Sequence, residues 1–148
     1  MTSSNIGSEI GTRKERVPIY QEMQDAMVAH AQFCFPQEAC GLIAVDKDNR
    51  PQMIYATTNV DRSRVRFTVS PEEHYGAIVH AERSGLTIAG SFHSHPDSAA
   101  FPSTRDIEGA LDPDWLYVIV GMGNGQPDVR GFRIRQGRVA EVAFWESL

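Results

Sequence analysis

The chain has 148 residues, 41% of them apolar and 22% charged, with a formal net charge of −5. That length can bury one hydrophobic core without disulfide or metal staples. The acidic balance excludes nucleic acid as a default partner, because it repels phosphates, and no stretch approaches the ~20 apolar residues of a membrane-spanning helix.

In chain order, the first sixteen residues, MTSSNIGSEIGTRKER, hold no apolar run. They read as a disordered tail rather than a secretory signal, followed by one domain over residues 17–148 in a cytoplasmic protein. Tyr20, Met23, Met27 and Ala31 recur at helical spacing and predict an amphipathic helix from Tyr20 to Gln32, broken by Pro36. GLIAVD predicts a buried strand, KDNR the turn after it and PQMIYATTN the next strand. VDRSRVRF reads as a loop leading into a short extended piece.

Ser70, Pro71 and Glu73 form a helix start with a capping pattern, and Gly85 supplies the stop. LTIAGSFHSH predicts a strand ended by Pro96, STRDIEGAL a short helix after Pro102, and WLYVIVG a central strand. VRGFRIRQGRVAEVAFW alternates apolar and charged residues around Gln136-Gly137, which predicts a terminal hairpin with one solvated face. Its arginines, Arg130, Arg133, Arg135 and Arg138, read as a basic strip on that face, either merely solvated or a docking patch for an acidic carrier protein. The whole pattern predicts an α/β (α+β) fold, a mixed central β-sheet flanked by helices.

Several residues suggest no chemistry. Cys34 and Cys40 lack C-x-x-C spacing and read as reduced thiols, at least one of them buried. His30, His74 and His80 fall on helices and read as partner-bonded or surface residues. GMGNGQ lacks the third glycine of a dinucleotide fingerprint and is followed by a strand, so it reads as a loop.

The stretch SFHSHPDSAAFPSTRD is different. His93 and His95 sit at i and i+2 of a strand, so both imidazoles leave the same face and can converge on one cation. Ser103 and Asp106 lie three apart at a helix start, on one side of its first turn, where Asp106 can offer a third ligand. The same Ser-x-x-Asp pattern also fits a capping box. Two histidines and one carboxylate leave a fourth position open, the catalytic rather than the structural pattern for zinc, in which a bound water has its pKa lowered to about 7. Hydrolysis then needs a general base. Of the acids Glu38, Glu72, Glu73, Glu82, Asp97 and Glu108, only Glu38 stands where a loop enters an apolar strand, a place where burial of a carboxylate calls for a reason.

These positions together (Glu38 in QEACGL, then His93-Ser94-His95-Pro96, six further residues, and Ser103-x-x-Asp106) resemble the JAMM/MPN+ zinc metallopeptidases, along nearly the whole domain. The resemblance implies an MPN/JAMM-type, cytidine-deaminase-like fold and one zinc ion per chain held by His93, His95 and Asp106. It implies Glu38 as general base and Ser103 as the donor that steadies the oxyanion. Family members cleave peptide or isopeptide bonds, commonly after the C-terminal glycine of ubiquitin or a ubiquitin-like protein. The short chain is similar to the small prokaryotic branch, including peptidases that release cysteine from a β-grasp sulfur carrier. A scaffold that binds zinc and partners without catalysis is the alternative, and the presence of all five positions weighs against it.

Overall fold

All six residues of CGLIAV are buried, so this strand has both faces covered, as its unbroken apolar run requires. It is β2 (Cys40–Val45) in a computed structural model that describes residues 13–145. The other elements are β1 (Arg16–Val17), α1 (Gln21–Cys34), β3 (Pro51–Thr57), α2 (Pro71–Arg83), β4 (Thr87–His95), α3 (Thr104–Glu108), β5 (Leu116–Gly121), β6 (Asp128–Arg135) and β7 (Arg138–Phe144). The strands form one sheet in the order β1-β7-β6-β5-β4-β2-β3, with WLYVIVG supplying its middle strand, β5. The sheet is mixed: β4–β5 and β1–β7 pair parallel, and the remaining neighbours antiparallel. The expected fold class is therefore observed.

Strand alternation divides the core in two. On one face Met27 and Ala31 of α1 pack with Ile43, Phe92, Val118 and Val120. On the other, Ile119, Phe132 and Ile134 pack beneath Ala100, with Ile107 and Ala110 of the α3 region against them. Phe92 and Phe132 are almost fully buried, each contributing roughly 1.5–3 kcal/mol of apolar transfer energy. His93 and His95 alternate with Phe92 along β4 and thus project from the second face. The parallel step from β4 to β5 needs a crossover, and residues 96–115 with α3 provide it on that same face.

The predicted helix starts and stops are largely observed. Tyr20 is the cap of α1 rather than its first residue, and the helix runs to Cys34, two residues beyond the expected end. Ser70 Oγ accepts the Glu73 N–H at 3.4 Å, one half of the capping box. The other half is replaced: the Glu73 carboxylate accepts from Thr58 N–H and Oγ1–H at 2.7 and 2.8 Å, tying α2 to the end of β3. Gln136 and Gly137 both have positive φ, the geometry of a two-residue hairpin turn. Cys40 is buried, Cys34 partly so, and both are free thiols.

The terminal hairpin corrects two expectations. Residues 131–134 of β6 are all buried, so the solvated face is interrupted. The four arginines do not form one strip either. Arg130 lies on the face opposite Arg133 and Arg135 because strand side chains alternate, and it pairs with Asp128 and Glu141 at 2.7 and 3.2 Å. Arg133 is only 5% exposed. Its guanidinium holds Glu15 at 2.9 Å and donates to the Asp114 carbonyl at 2.7 Å, which satisfies a buried charge. Arg16 is itself part of β1, paired to Ala143, so the boundary drawn at Val17 falls within that strand. The rest of the expected tail, residues 1–12, lies outside the described residues.

Candidate metal centre

His93 Nε2 and His95 Nε2 lie 3.1 Å apart. Asp106 Oδ2, carried by α3, is 3.2 Å from the first and 3.1 Å from the second. Three donor atoms therefore make a nearly equilateral triangle. A tetrahedral zinc ion with bonds of about 2.0–2.1 Å places neighbouring ligand atoms roughly 3.3 Å apart. The triangle thus has the size of one face of such a tetrahedron, and its imidazole and carboxylate donors suit that metal. Among the described residues no fourth His, Cys, Asp or Glu joins the group, which leaves one corner open.

The surrounding chain fixes these donors. His95 Nδ1 lies 3.0 Å from the Ala99 carbonyl, which can only accept. Nδ1 therefore carries the proton, and the neutral ring turns its Nε2 lone pair toward the triangle. The turn that carries Ala99 is seated on the end of β5: Met122 N–H donates to the His95 carbonyl at 3.0 Å and Gly123 N–H to the Ser98 carbonyl at 3.1 Å. A Cβ at Gly121 would collide with the Ala100 backbone, and one at Gly123 with that of Ser98. GMGNGQ is a loop, as read, apart from Gly121, which ends β5, and Gly121 and Gly123 leave room for the turn whose Ala99 carbonyl holds His95. Phe67 stacks on the His93 ring with centroids 4.6 Å apart.

The electrostatics favour a cation. Burial pushes the His93 imidazole below its ordinary pKa, with Asp106 acting the other way, so the ring favours the neutral, ligating form. Burial would also raise Asp106, but hydrogen bonds and charge from the two histidines, with the Ser103 N–H, hold it well below the usual carboxylate range. Burial acts to lower His95. Its bonds to Asp106 and Ala99 and the charges of Asp106 and Glu38 outweigh that and raise it, so the surroundings of this ring favour positive charge.

Glu38 reaches the same face through register. Cys40 pairs with His93, and two residues back along the antiparallel ladder Glu38 comes beside His95. Ala39 N–H donates to Ser94 Oγ at 2.7 Å, and Ser94 N–H to the Ala39 carbonyl at 3.0 Å. Glu38 N–H is held by the Ser63 carbonyl at 2.7 Å, and Asn59 Nδ2 donates to the Glu38 carbonyl at 3.1 Å. Glu38 is 5% exposed. Desolvation pushes its carboxyl up to about 7, with His95 and Arg105 opposing and Asp106 adding to the rise. That value suits proton transfer near neutral pH.

Ser103 is the N-cap of α3. Its Oγ accepts the Asp106 N–H at 3.1 Å, and its own N–H donates to Asp106 Oδ2 at 2.9 Å, a complete capping box. The cap and the candidate ligand are one object: the box aims Oδ2 at the histidines. As an acceptor in that box, the hydroxyl still has its hydrogen to donate.

All five residues singled out in the sequence therefore meet on one face of the sheet, Glu38, His93 and His95 where β2 pairs with β4, and Ser103 and Asp106 at the start of α3. His30 and His80 are partner-bonded, the first between the Cys40 and Thr57 carbonyls and the second to Tyr55 Oη. Sequence reasoning missed Ser94, Ala99, Phe67 and Asn59. A serine inside a buried H-x-H strand was a usable signal, since a buried hydroxyl needs a partner. The others were not visible, because each acts through a backbone carbonyl or an aromatic face brought in by a loop.

An open His-His-Asp triangle with a buried carboxylate alongside suits a metal ion with a proton acceptor beside it. Comparison with known proteins agrees. Residues 20–135 match the family described as prokaryotic homologs of the JAB domain. The chain is 33% identical over 128 residues to the CysO-cysteine peptidase of Mycobacterium tuberculosis, covering 83% of this chain and 86% of that one. It is 32% identical over 110 residues to the desampylase of Haloferax volcanii, covering 70% and 79%. The solution structure of DSY2949 from Desulfitobacterium hafniense matches with a TM-score of 0.75 and 32% identity over 90% of this chain and 94% of that one. AF2198 from Archaeoglobus fulgidus, a JAB1/MPN domain protein, shares the fold with a TM-score of 0.58 and 18% identity over 88% of this chain and 100% of that one. The chain belongs to the prokaryotic JAB-domain branch of the JAMM/MPN family, and it is a hydrolase acting on peptide or isopeptide bonds.

Proposed function

We propose that this protein is a zinc-dependent peptidase that cleaves the bond following the C-terminal glycine of a ubiquitin-like or sulfur-carrier β-grasp protein in the cytoplasm. The observation that carries the reading is the ligand triangle with Glu38 buried beside it on the same face. Relatives named CysO-cysteine peptidase and desampylase support the substrate class.

When bound by His93, His95 and Asp106, zinc supplies Lewis acidity and an acidified water. Glu38 takes a proton from the attacking water at its carboxylate and delivers it to the departing amine nitrogen as the carbon–nitrogen bond breaks. Ser103 donates its remaining hydroxyl hydrogen toward the scissile carbonyl oxygen as charge develops there. Ala99 keeps the proton of His95 on Nδ1, so the ring is ready to ligate without rearrangement.

The test is incubation of the zinc-loaded protein with β-grasp proteins extended beyond their terminal Gly-Gly, followed by intact-mass measurement. A product ending at the glycine is expected, and an unchanged mass across the carriers would overturn the substrate class. Ser103→Ala should slow the same reaction by about 10²–10³-fold. It should also cost about 1 kcal/mol of stability from the lost cap. A stability loss with no change in rate would leave Ser103 as a cap alone.

A further inference from the structure

A pocket of about 230 Å³ opens beside His93 and Asp106, with Tyr117, Ile119 and Ile134 lining its sheet side. Arg66 and Arg105 also line it. Among the described residues Arg105 has no ion pair, and Arg66 reaches only Asp61, at 3.9 Å. Asp106 is the one acid on the pocket wall, and it faces the histidines. The pocket therefore offers two exposed guanidinium groups and no carboxylate free to satisfy them.

Its size limits the occupant. Its volume lies below the ~300 Å³ at which ordinary small-molecule pockets begin, which suits a short segment or a single residue. A folded carrier must stay outside and send in only its tail.

We propose that this pocket receives the residue released by cleavage and that Arg105, with Arg66, binds its free α-carboxylate. This rests on the peptidase reading above and narrows it: the substrate is a carrier extended by a lone C-terminal amino acid, not a carrier joined to an internal lysine. The planar fork of a guanidinium matches a carboxylate with two parallel hydrogen bonds. The apolar sheet side suits a small uncharged side chain. A lysine conjugate would place no free carboxylate here.

The experiment uses the zinc-loaded full chain and a β-grasp carrier ending in Gly-Gly plus one alanine, prepared as the free acid and as the carboxamide. A third substrate joins the same carrier to the side chain of an internal lysine. Wild type should cleave the acid with kcat/KM about 10–100-fold above the amide and above the lysine conjugate, the worth of a charge-assisted hydrogen bond. Arg105→Met should raise KM for the acid by a similar factor and erase its advantage over the amide, with Arg66→Met acting more weakly. Because Arg105 also bears on Glu38 electrostatically, a general effect would slow acid and amide alike. Equal rates for acid and amide in wild type, or an acid preference untouched in both variants, would overturn the carboxylate site while leaving the peptidase reading intact. Cleavage of none of the three substrates would remove that reading and the pocket's assignment with it.

Discussion

Replacing Glu38 by glutamine should lower hydrolysis by about 10²–10⁴-fold, the usual worth of a positioned general base, while zinc stays bound. Glutamine keeps the shape and polarity of the side chain but cannot take the proton of water. The same change should stabilise the metal-free protein. Burial raises the Glu38 carboxyl from an ordinary 4.5 to about 7, so the folded chain holds this proton more tightly than the unfolded chain does. Stability from the protonated form is complete below pH 4.5 and is lost as pH rises through about 7. Above that pH the buried charge costs on the order of 3 kcal/mol, which glutamine does not incur. Denaturation of metal-free wild type and Glu38→Gln across this range should show a gap that opens as pH rises and closes below 4.5. Retained turnover in Glu38→Gln would remove Glu38 from the base role.

Replacing Asp106 by asparagine should strip the protein of zinc and activity while leaving the fold in place. The amide oxygen can still accept the Ser103 N–H, so the cap of α3 survives. It lacks the charge that opposes a dication among two neutral imidazoles, and a neutral amide is a poor zinc ligand. Circular dichroism of the metal-free variant should match that of metal-free wild type, and metal analysis should find zinc near background. Full zinc occupancy in Asp106→Asn would show that the metal is held elsewhere.

The legible parts of this molecule were those written in local spacing. GLIAVD and WLYVIVG announced buried strands because an unbroken apolar run has no solvated face to offer, the first strand in fact running from Cys40 to Val45. His93 and His95 were readable because two-residue spacing fixes a face. Ser103 and Asp106 were readable because three-residue spacing fixes one side of a helical turn. Glu38 was harder, since only the β2–β4 register, in which Ala39 bonds Ser94 across 55 positions of chain, brings it to His95. The hairpin arginines misled for a related reason. Alternation along β6 sets Arg130 on the face opposite Arg133 and Arg135, against the single strip expected, and Glu15 and the Asp114 carbonyl, which bury Arg133, come from distant segments. VDRSRVRF read only as a loop leading into a short extended piece. It is organised by Asn59, whose side chain bonds the backbone of Glu38, Asp61, Arg66 and Thr68. No sequence period encodes that.

Metal analysis of the purified full chain, paired with its peptidase rate before and after chelation, tests the central claim most directly. The account predicts about one zinc per chain, loss of activity on chelation and recovery on adding zinc back, since a three-residue open site both holds the ion and depends on it. A chain that carries no zinc, takes up none and gains no activity from added metal would contradict it.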